Sequence, residues 1–210
     1  MKNKTKQLIV ISAGDYAREV ALMARTIPEN CRDWVFAGFL DGRGQILDKY
    51  PGAGPILGNP ESYEIKENDR FVCSIGSIDD LCKYAELIEK RGGLFVNVIH
   101  PSALIGERTK IGVGCIVWPN ATITTDVTIG SHVSIHPNVV VAHDAVIGSF
   151  SILSAGSFVG GHAKLAEEVF LKHGAVVPSR SDVQRGRAEI DKIIVGKITN
   201  TNAEGVADSC

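Results

Sequence analysis

The sequence predicts two halves of different class. Residues 1–98 read as a small α/β domain with a Rossmann-like parallel sheet, residues 99–188 as an all-β solenoid, and residues 189–210 as a polar tail. Three observations carry this division. The first half alternates apolar runs with amphipathic segments, whereas the second half loses every helical pattern and takes up an aliphatic period of six. The composition, 22 glycines against 6% aromatic residues in a chain of 210, suits a repetitive β architecture.

In the first half, "QLIVIS" (7–12) is a continuous apolar run, the pattern of a buried parallel strand. "DYAREVALMARTI" follows, with Ala17, Val20, Ala21, Ala24 and Ile27 at helical spacing. Asp15 stands where a helix N-cap would fall. "WVFAGFLDG" reads as a second strand ending in a turn at Asp41-Gly42, and "RFVCSIGS" as another buried run. "IDDLCKYAELIEKRGG" has an acidic start, helical periodicity and a glycine stop, and "LFVNVIH" reads as the last strand of the sheet.

From Ile99 onward, every sixth residue through Val183 is aliphatic. All fifteen positions are Ile, Val or Leu, although these types make up only 55 of 210 residues, so chance does not account for the run. Four residues after each aliphatic comes a mostly small residue, such as Ala103, Cys115, Ala121, Ala145, Ser151, Ser157 or Ala163. Each hexapeptide therefore makes a short strand and a sharp bend, with the aliphatic inward and the small residue at the corner. If three hexapeptides complete a coil, about five coils stack, and residues eighteen apart sit above one another. His100, Trp118, His136, Ser154 and Lys172 then form an outward column.

A net charge of −2 gives no electrostatic ground for nucleic acid or an anionic membrane as partner. The apolar run near the start is too short for a signal-peptide core or a spanning helix. Five cysteines (Cys31, Cys73, Cys82, Cys115, Cys210) form no CxxC pair, so free thiols in a reducing cytoplasm are expected.

The hexapeptide spacing resembles the left-handed parallel β-helix of hexapeptide acyltransferases. The phrases "LIVISAGDYAREVA", "FAGFLDG", "GPILGNPESY", "FVCSIGS", "NVIHPSALIG" and "VVVAHDAVIGSF" resemble, in order, the sialic acid O-acetyltransferase family of sugar O- and N-acetyltransferases. That resemblance implies acetyl-CoA as co-substrate and no metal. It also implies a homotrimer with sites between subunits, and an amino-terminal domain that helps hold a sugar or nucleotide-sugar acceptor for polysaccharide or glycan building.

Carried over position by position, the resemblance makes His143 the general base, with Asp144 beside it. Gly161, eighteen residues on, would offer the backbone N–H for the oxyanion. Gly14, Asp15, Tyr16 and Asp41 would contact the acceptor. Gly161, His162, Lys172 and Arg180 would contact the donor, and His173, Arg185 and Arg187 add positive charge near its phosphates. The chain departs from the family at three places. Ala142 replaces a glutamate before the base, Ile152 replaces a second histidine, and Asp15 sits in a loop that is otherwise glycine-rich. With Ala142 in place, Asp144 or Asp126 is left to orient the imidazole.

Two other functions compete. A diverged, non-catalytic trimeric scaffold would keep the solenoid without the chemistry. A γ-carbonic-anhydrase-like zinc enzyme would need a third histidine beside His100 and His136, but five residues past His136 stands the inward aliphatic Val141.

Overall fold

A computed structural model describes residues 5–184. Arg185, Arg187, Cys210 and the polar tail lie outside the described residues. Among those described, no helix is long and apolar enough to cross a membrane.

The α/β half contains β1 (Lys6–Ile11), α1 (Asp15–Thr26), β2 (Trp34–Leu40), β3 (Ile56–Gly58), β4 (Asp69–Cys73) and α2 (Ile78–Lys90). All strands are parallel in the order β3-β2-β1-β4, so the topology reverses direction across β1. Apolar runs become strands because they are buried on both faces, as at Leu8 and Phe71, each fully buried. The apolar stripe of α1 (Ala17, Val20, Ala21, Ala24) closes one side and that of α2 (Leu81, Ala85, Ile88) the other.

Three details differ from the sequence reading. The short strand β3 was not expected, because three residues are too few to show a period. "LFVNVIH" does not become a sheet strand: Phe95 makes one bridge to Phe71, and Val98–Ile99 already pairs with Ile116–Val117 of the solenoid. Asp15 is not the N-cap of α1. Gly14 holds that place without a side-chain bond, and Asp15 is the first helical residue, ion-paired to Arg18. Its charge still favours the positive helix end.

The second half is a left-handed parallel β-helix of five coils, whose three faces are five-stranded parallel sheets. The aliphatics from Val117 to Val177 are buried to 2% exposure or less, with Ile99, Ile105, Ile111 and Val183 partly buried at the ends. Each buried aliphatic contributes about 1.5–3 kcal/mol, and the repeat supplies them without interruption.

The corners have a regularity of their own. At every sixth residue from Arg108 to Arg180 the backbone turns through positive φ, between 58° and 72°. Residues such as Asn120, Asp126, Asn138 and Asp144, and the glycines 114, 156 and 174, suit that conformation.

The three faces differ in chemistry. The face built on Val98–Ile99, Ile116–Val117, Ser134–Ile135, Ile152–Leu153 and Phe170–Leu171 lies under the α/β half. Its outward Val98, Ile116, Ser134 and Ile152 are all at most 3% exposed. The next face shows Leu104, Phe158 and Val176 to the surface, 61, 39 and 43% exposed. The third carries the exposed Lys110, Thr128, Lys164 and Asp182.

The outward column beside the first face is largely covered by the α/β half. Ser154 is 2% exposed, and His136 and Trp118 pack beneath the α/β half. The Tyr16 ring stacks on His136 at 4.9 Å and 13°, and Trp118 Nε1 donates to the Tyr16 hydroxyl at 3.3 Å. A second contact joins the halves at His132, 3% exposed. Its ring stacks on Phe150 at 5.0 Å and meets the edge of Phe95, and its Nε2 lies 3.0 Å from Glu89 of α2.

Burial, aided by the His173 charge, lowers the His136 pKa to about 4. The unfolded chain therefore binds this proton more readily than the folded one. Stability is fully present above the ordinary value near 6.5 and is lost as pH falls towards 4, by up to about 3 kcal/mol. Denaturant titrations between pH 7 and 4.5 are expected to show this loss, and His136→Gln should flatten it. An equal slope in wild type and variant would remove His136 as the cause.

Candidate functional site

The edge between the apolar and polar faces carries the candidate residues His143, Asp144, Gly161, His162 and Arg180. One column along it runs Glu107, Thr125, His143, Gly161, Ser179, and the adjacent column runs Arg108, Asp126, Asp144, His162, Arg180. Every member of the second column is a positive-φ corner residue. Backbone bonds fix the rungs: Asp144 N–H to Thr125 at 3.2 Å, His162 N–H to His143 at 2.9 Å, and Arg180 N–H to Gly161 at 2.9 Å.

His143 Nδ1 lies 2.8 Å from Asp144 Oδ2. An ionised carboxylate only accepts, so Nδ1 carries the proton and Nε2 presents its lone pair. The other carboxylate considered for this role is committed elsewhere. Asp126 takes Arg108 Nε at 2.6 Å and Nη2 at 2.7 Å, and that hydrogen-bonded cation, with Thr125, lowers its pKa to about 2. Asp144 is therefore the partner. The imidazole is 57% exposed and Asp144 45%, so both are open to a ligand.

Gly161 sits directly against the ring. A Cβ there would lie 2.9 Å from His143 Cε1 and Nε2, closer than atoms tolerate. The glycine lacks a side chain so that the imidazole can lie across it, a reason the sequence did not reveal. Among the described residues the Gly161 N–H meets no backbone acceptor. The His162 ring stands edge-on to that of His143 at 5.2 Å, with Nε2 3.7 Å from Asp144 Oδ2. Arg180 is one coil beyond His162 on the same column. Lys172 is not part of this group, because it lies on the preceding edge of the prism.

The acceptor candidates lie in the α/β half. Asp41, 7% exposed, accepts from Ala13 N–H at 2.8 Å and is clamped by Arg43 through Nε at 2.9 Å and Nη2 at 2.7 Å. Burial pushes its pKa up, but the Arg43 guanidinium and the two amides outweigh it and hold the carboxyl below its ordinary range.

Asp41 and Arg43 line a cavity of about 340 Å³ with Ser12, Ile75, Asp80 and Tyr84. It opens at the carboxyl ends of β1, β2 and β4, where open parallel sheets bind ligands at a reversal of strand order. A larger hollow of about 660 Å³ lies at the opposite strand ends, around Lys6, Arg32 and Arg70, away from that crevice. Ser12 turns through φ 81° at the cavity lip. Arg43 is a residue the sequence reading missed, although its place two residues after Asp41 in "LDGR" was the available signal. Gly14 and Asp15 start the helix beside this crevice. Tyr16 faces the solenoid, its phenol held neutral by burial with a pKa of about 12. His100 bonds Ser102 at 2.8 Å and His136 lies under Tyr16, so the two do not form a metal site.

Residues 126–161 match the model of the bacterial transferase hexapeptide (six repeats). This segment is similar to the hexapeptide repeats of that family. It contains His143, Asp144 and Gly161. No curated protein sequence matches the chain.

Among the solved structures that share the fold are the following three. WeeI from Acinetobacter baumannii is 20% identical with a TM-score of 0.63, over 85% of this chain and 94% of that one. The acetyltransferase domain of PglB from Neisseria gonorrhoeae, solved with acetyl coenzyme A, is 18% identical with a TM-score of 0.59, over 85% and 93%. PerB from Caulobacter crescentus, solved with CoA and GDP-perosamine, is 25% identical with a TM-score of 0.58, over 85% and 89%. The likeness extends across both halves, so the α/β-then-β-helix order is common to all four.

Gly161 does not need a positive φ, so alanine fits its backbone and only the imidazole must move. Gly161→Ala is expected to push the His143 ring off Asp144 while the coil ladder persists. Imidazole ¹⁵N spectra or a crystal structure of the variant check this, and a ring that keeps its 2.8 Å contact would refute it.

Proposed function

We propose that the chain is an acetyl-CoA-dependent acetyltransferase acting on a hydroxyl or amine of a sugar or nucleotide-linked sugar. The observation that carries this reading is His143 seated on the bare Gly161 with its Nδ1 bonded to Asp144. Likeness to proteins solved with acetyl coenzyme A, or with CoA and GDP-perosamine, supports donor and acceptor class.

In this reaction His143 Nε2 takes the proton from the acceptor's O–H or N–H as that atom attacks the thioester carbonyl. The tetrahedral oxyanion is held by the Gly161 N–H. Collapse breaks the C–S bond, and the CoA thiolate leaves with the proton that His143 gives back. Both substrates are bound at once, so positioning supplies much of the rate and no acyl-enzyme is needed. Asp144 keeps the imidazole in the reactive tautomer.

Gly161, His162 and Arg180 hold the donor, with Arg180 meeting its phosphates, and Lys172, on the preceding edge, falls outside this group. Gly14, Asp15 and Asp41, with Arg43 added, hold the acceptor at the α/β crevice, and Tyr16, turned onto His136 of the solenoid, does not take part. Leu104, Phe158 and Val176, exposed on the face beside the His143 edge, would be covered if copies packed there, which supports a homotrimer with the site between subunits.

Thiol release from acetyl-CoA with a panel of amino sugars and nucleotide-linked amino sugars tests the reading. His143→Ala is expected to lower turnover about 10²–10⁴-fold with unchanged oligomer size. Undiminished turnover would remove His143 as base, and failure of the wild-type chain to bind CoA would favour a non-catalytic scaffold.

A further inference from the structure

The fold brings one more chemistry to the same edge. His143 and Asp144 occupy one coil and His162 the next, and one donor atom from each residue lies within 4.8 Å of the others. The measured separations from Asp144 Oδ2 are 2.8 Å to His143 Nδ1 and 3.7 Å to His162 Nε2. Ligands bound at about 2.1 Å around a tetrahedral ion stand about 3.4 Å apart, and the two distances bracket that value. All three side chains are roughly half exposed, so small rotations complete the approach. Their backbones are pinned: Asp144 and His162 are stacked positive-φ corners, joined through the His162 N–H bond to His143. Three ligands preset on rigid rungs reduce the ordering cost of capture.

We propose that His143, Asp144 and His162 form an inhibitory site for a divalent transition-metal ion of the zinc, cobalt or nickel type. Two imidazoles and one carboxylate match the preferences of these ions, whereas magnesium and calcium favour all-oxygen shells. Three protein ligands leave one position for water. The captured ion takes Nδ1 of His143, whose proton then resides on Nε2, and the carboxylate that orients the ring, so Nε2 no longer accepts a proton from substrate. Metal binding and proton acceptance are mutually exclusive at this histidine. The site thus makes transfer sensitive to free metal, without a metal in the reaction itself. The binding claim stands on the trio's geometry, and only its inhibitory consequence rests on the acetyltransferase reading.

Untagged full-length protein, stripped with chelator, is titrated with Zn²⁺ by calorimetry and with Co²⁺ by visible absorption near neutral pH. One ion per chain is expected. His162→Ala should weaken binding about tenfold or more, and His100→Ala, outside the trio, should not. In thiol-release assays Zn²⁺ is expected to inhibit the wild type reversibly with EDTA. The His162→Ala chain, compared with its own metal-free rate, should resist. Equal affinity in wild type and His162→Ala, or no saturable binding, overturns the site. Binding that depends on His162 in a chain releasing no thiol with any acceptor keeps the site and fails the acetyltransferase reading. His143-dependent thiol release without metal binding fails this inference alone.

Discussion

Everything in the second half depends on a turn in the left-handed backbone region at every sixth residue, without a missed beat from Arg108 to Arg180. For a residue other than glycine such a turn costs about 1–2 kcal/mol, and here ten non-glycine residues in the solenoid adopt it. The ladder bonds on either side and the aliphatic core inside each coil hold them there. Because the turns are regular, the position of a side chain on the prism follows from its number alone. His143 meets Gly161, Asp144 lies under His162, and Arg108 reaches Asp126 for this reason. These residues occupy places that the repeat would build regardless.

The α/β half is fixed to this frame by aromatic and imidazole packing. Tyr16, Trp118 and His136 form one contact, and His132, Phe95, Phe150 and Glu89 the other. Both histidines keep a buried ring nitrogen without a hydrogen-bond partner, Nε2 of His136 and Nδ1 of His132. An orphan polar atom costs stability, so the stacking must outweigh it. Asp41, bonded by Ala13 and Arg43, stiffens the crevice beside the start of α1, the helix that carries Tyr16.

Much of this is legible in the amino-acid sequence. The sixfold aliphatic series gave the coil count and the inward column, because burial inside a solenoid leaves no alternative to aliphatics. The His143, Asp144 and Gly161 alignment followed from adding eighteen. The signal for the corners was present and unread: Asn120, Asp126, Asn138, Asp144, His162 and the glycines at 114, 156 and 174 are the types that tolerate positive φ. What the numbering could not give was contact between sequence-distant parts. Nothing local marks Tyr16 as the residue that covers His136, or separates Asp144 from Asp126 before Arg108 claims the latter. A three-residue strand such as Ile56–Gly58 is too short to announce itself, and Arg43 acquires meaning only once Asp41 is seen buried beside it.

The three unlike faces also constrain how such a chain can change length. Removing one hexapeptide ahead of His143 would leave the aliphatic series intact, yet rotate everything beyond it by a third of a revolution. The imidazole would then sit on a different edge relative to the α/β half, and the covered, apolar and charged faces would fall out of line. Only gains or losses of whole eighteen-residue revolutions leave the His143 edge where it stands, so viable length variants of this protein should be spaced one complete coil apart.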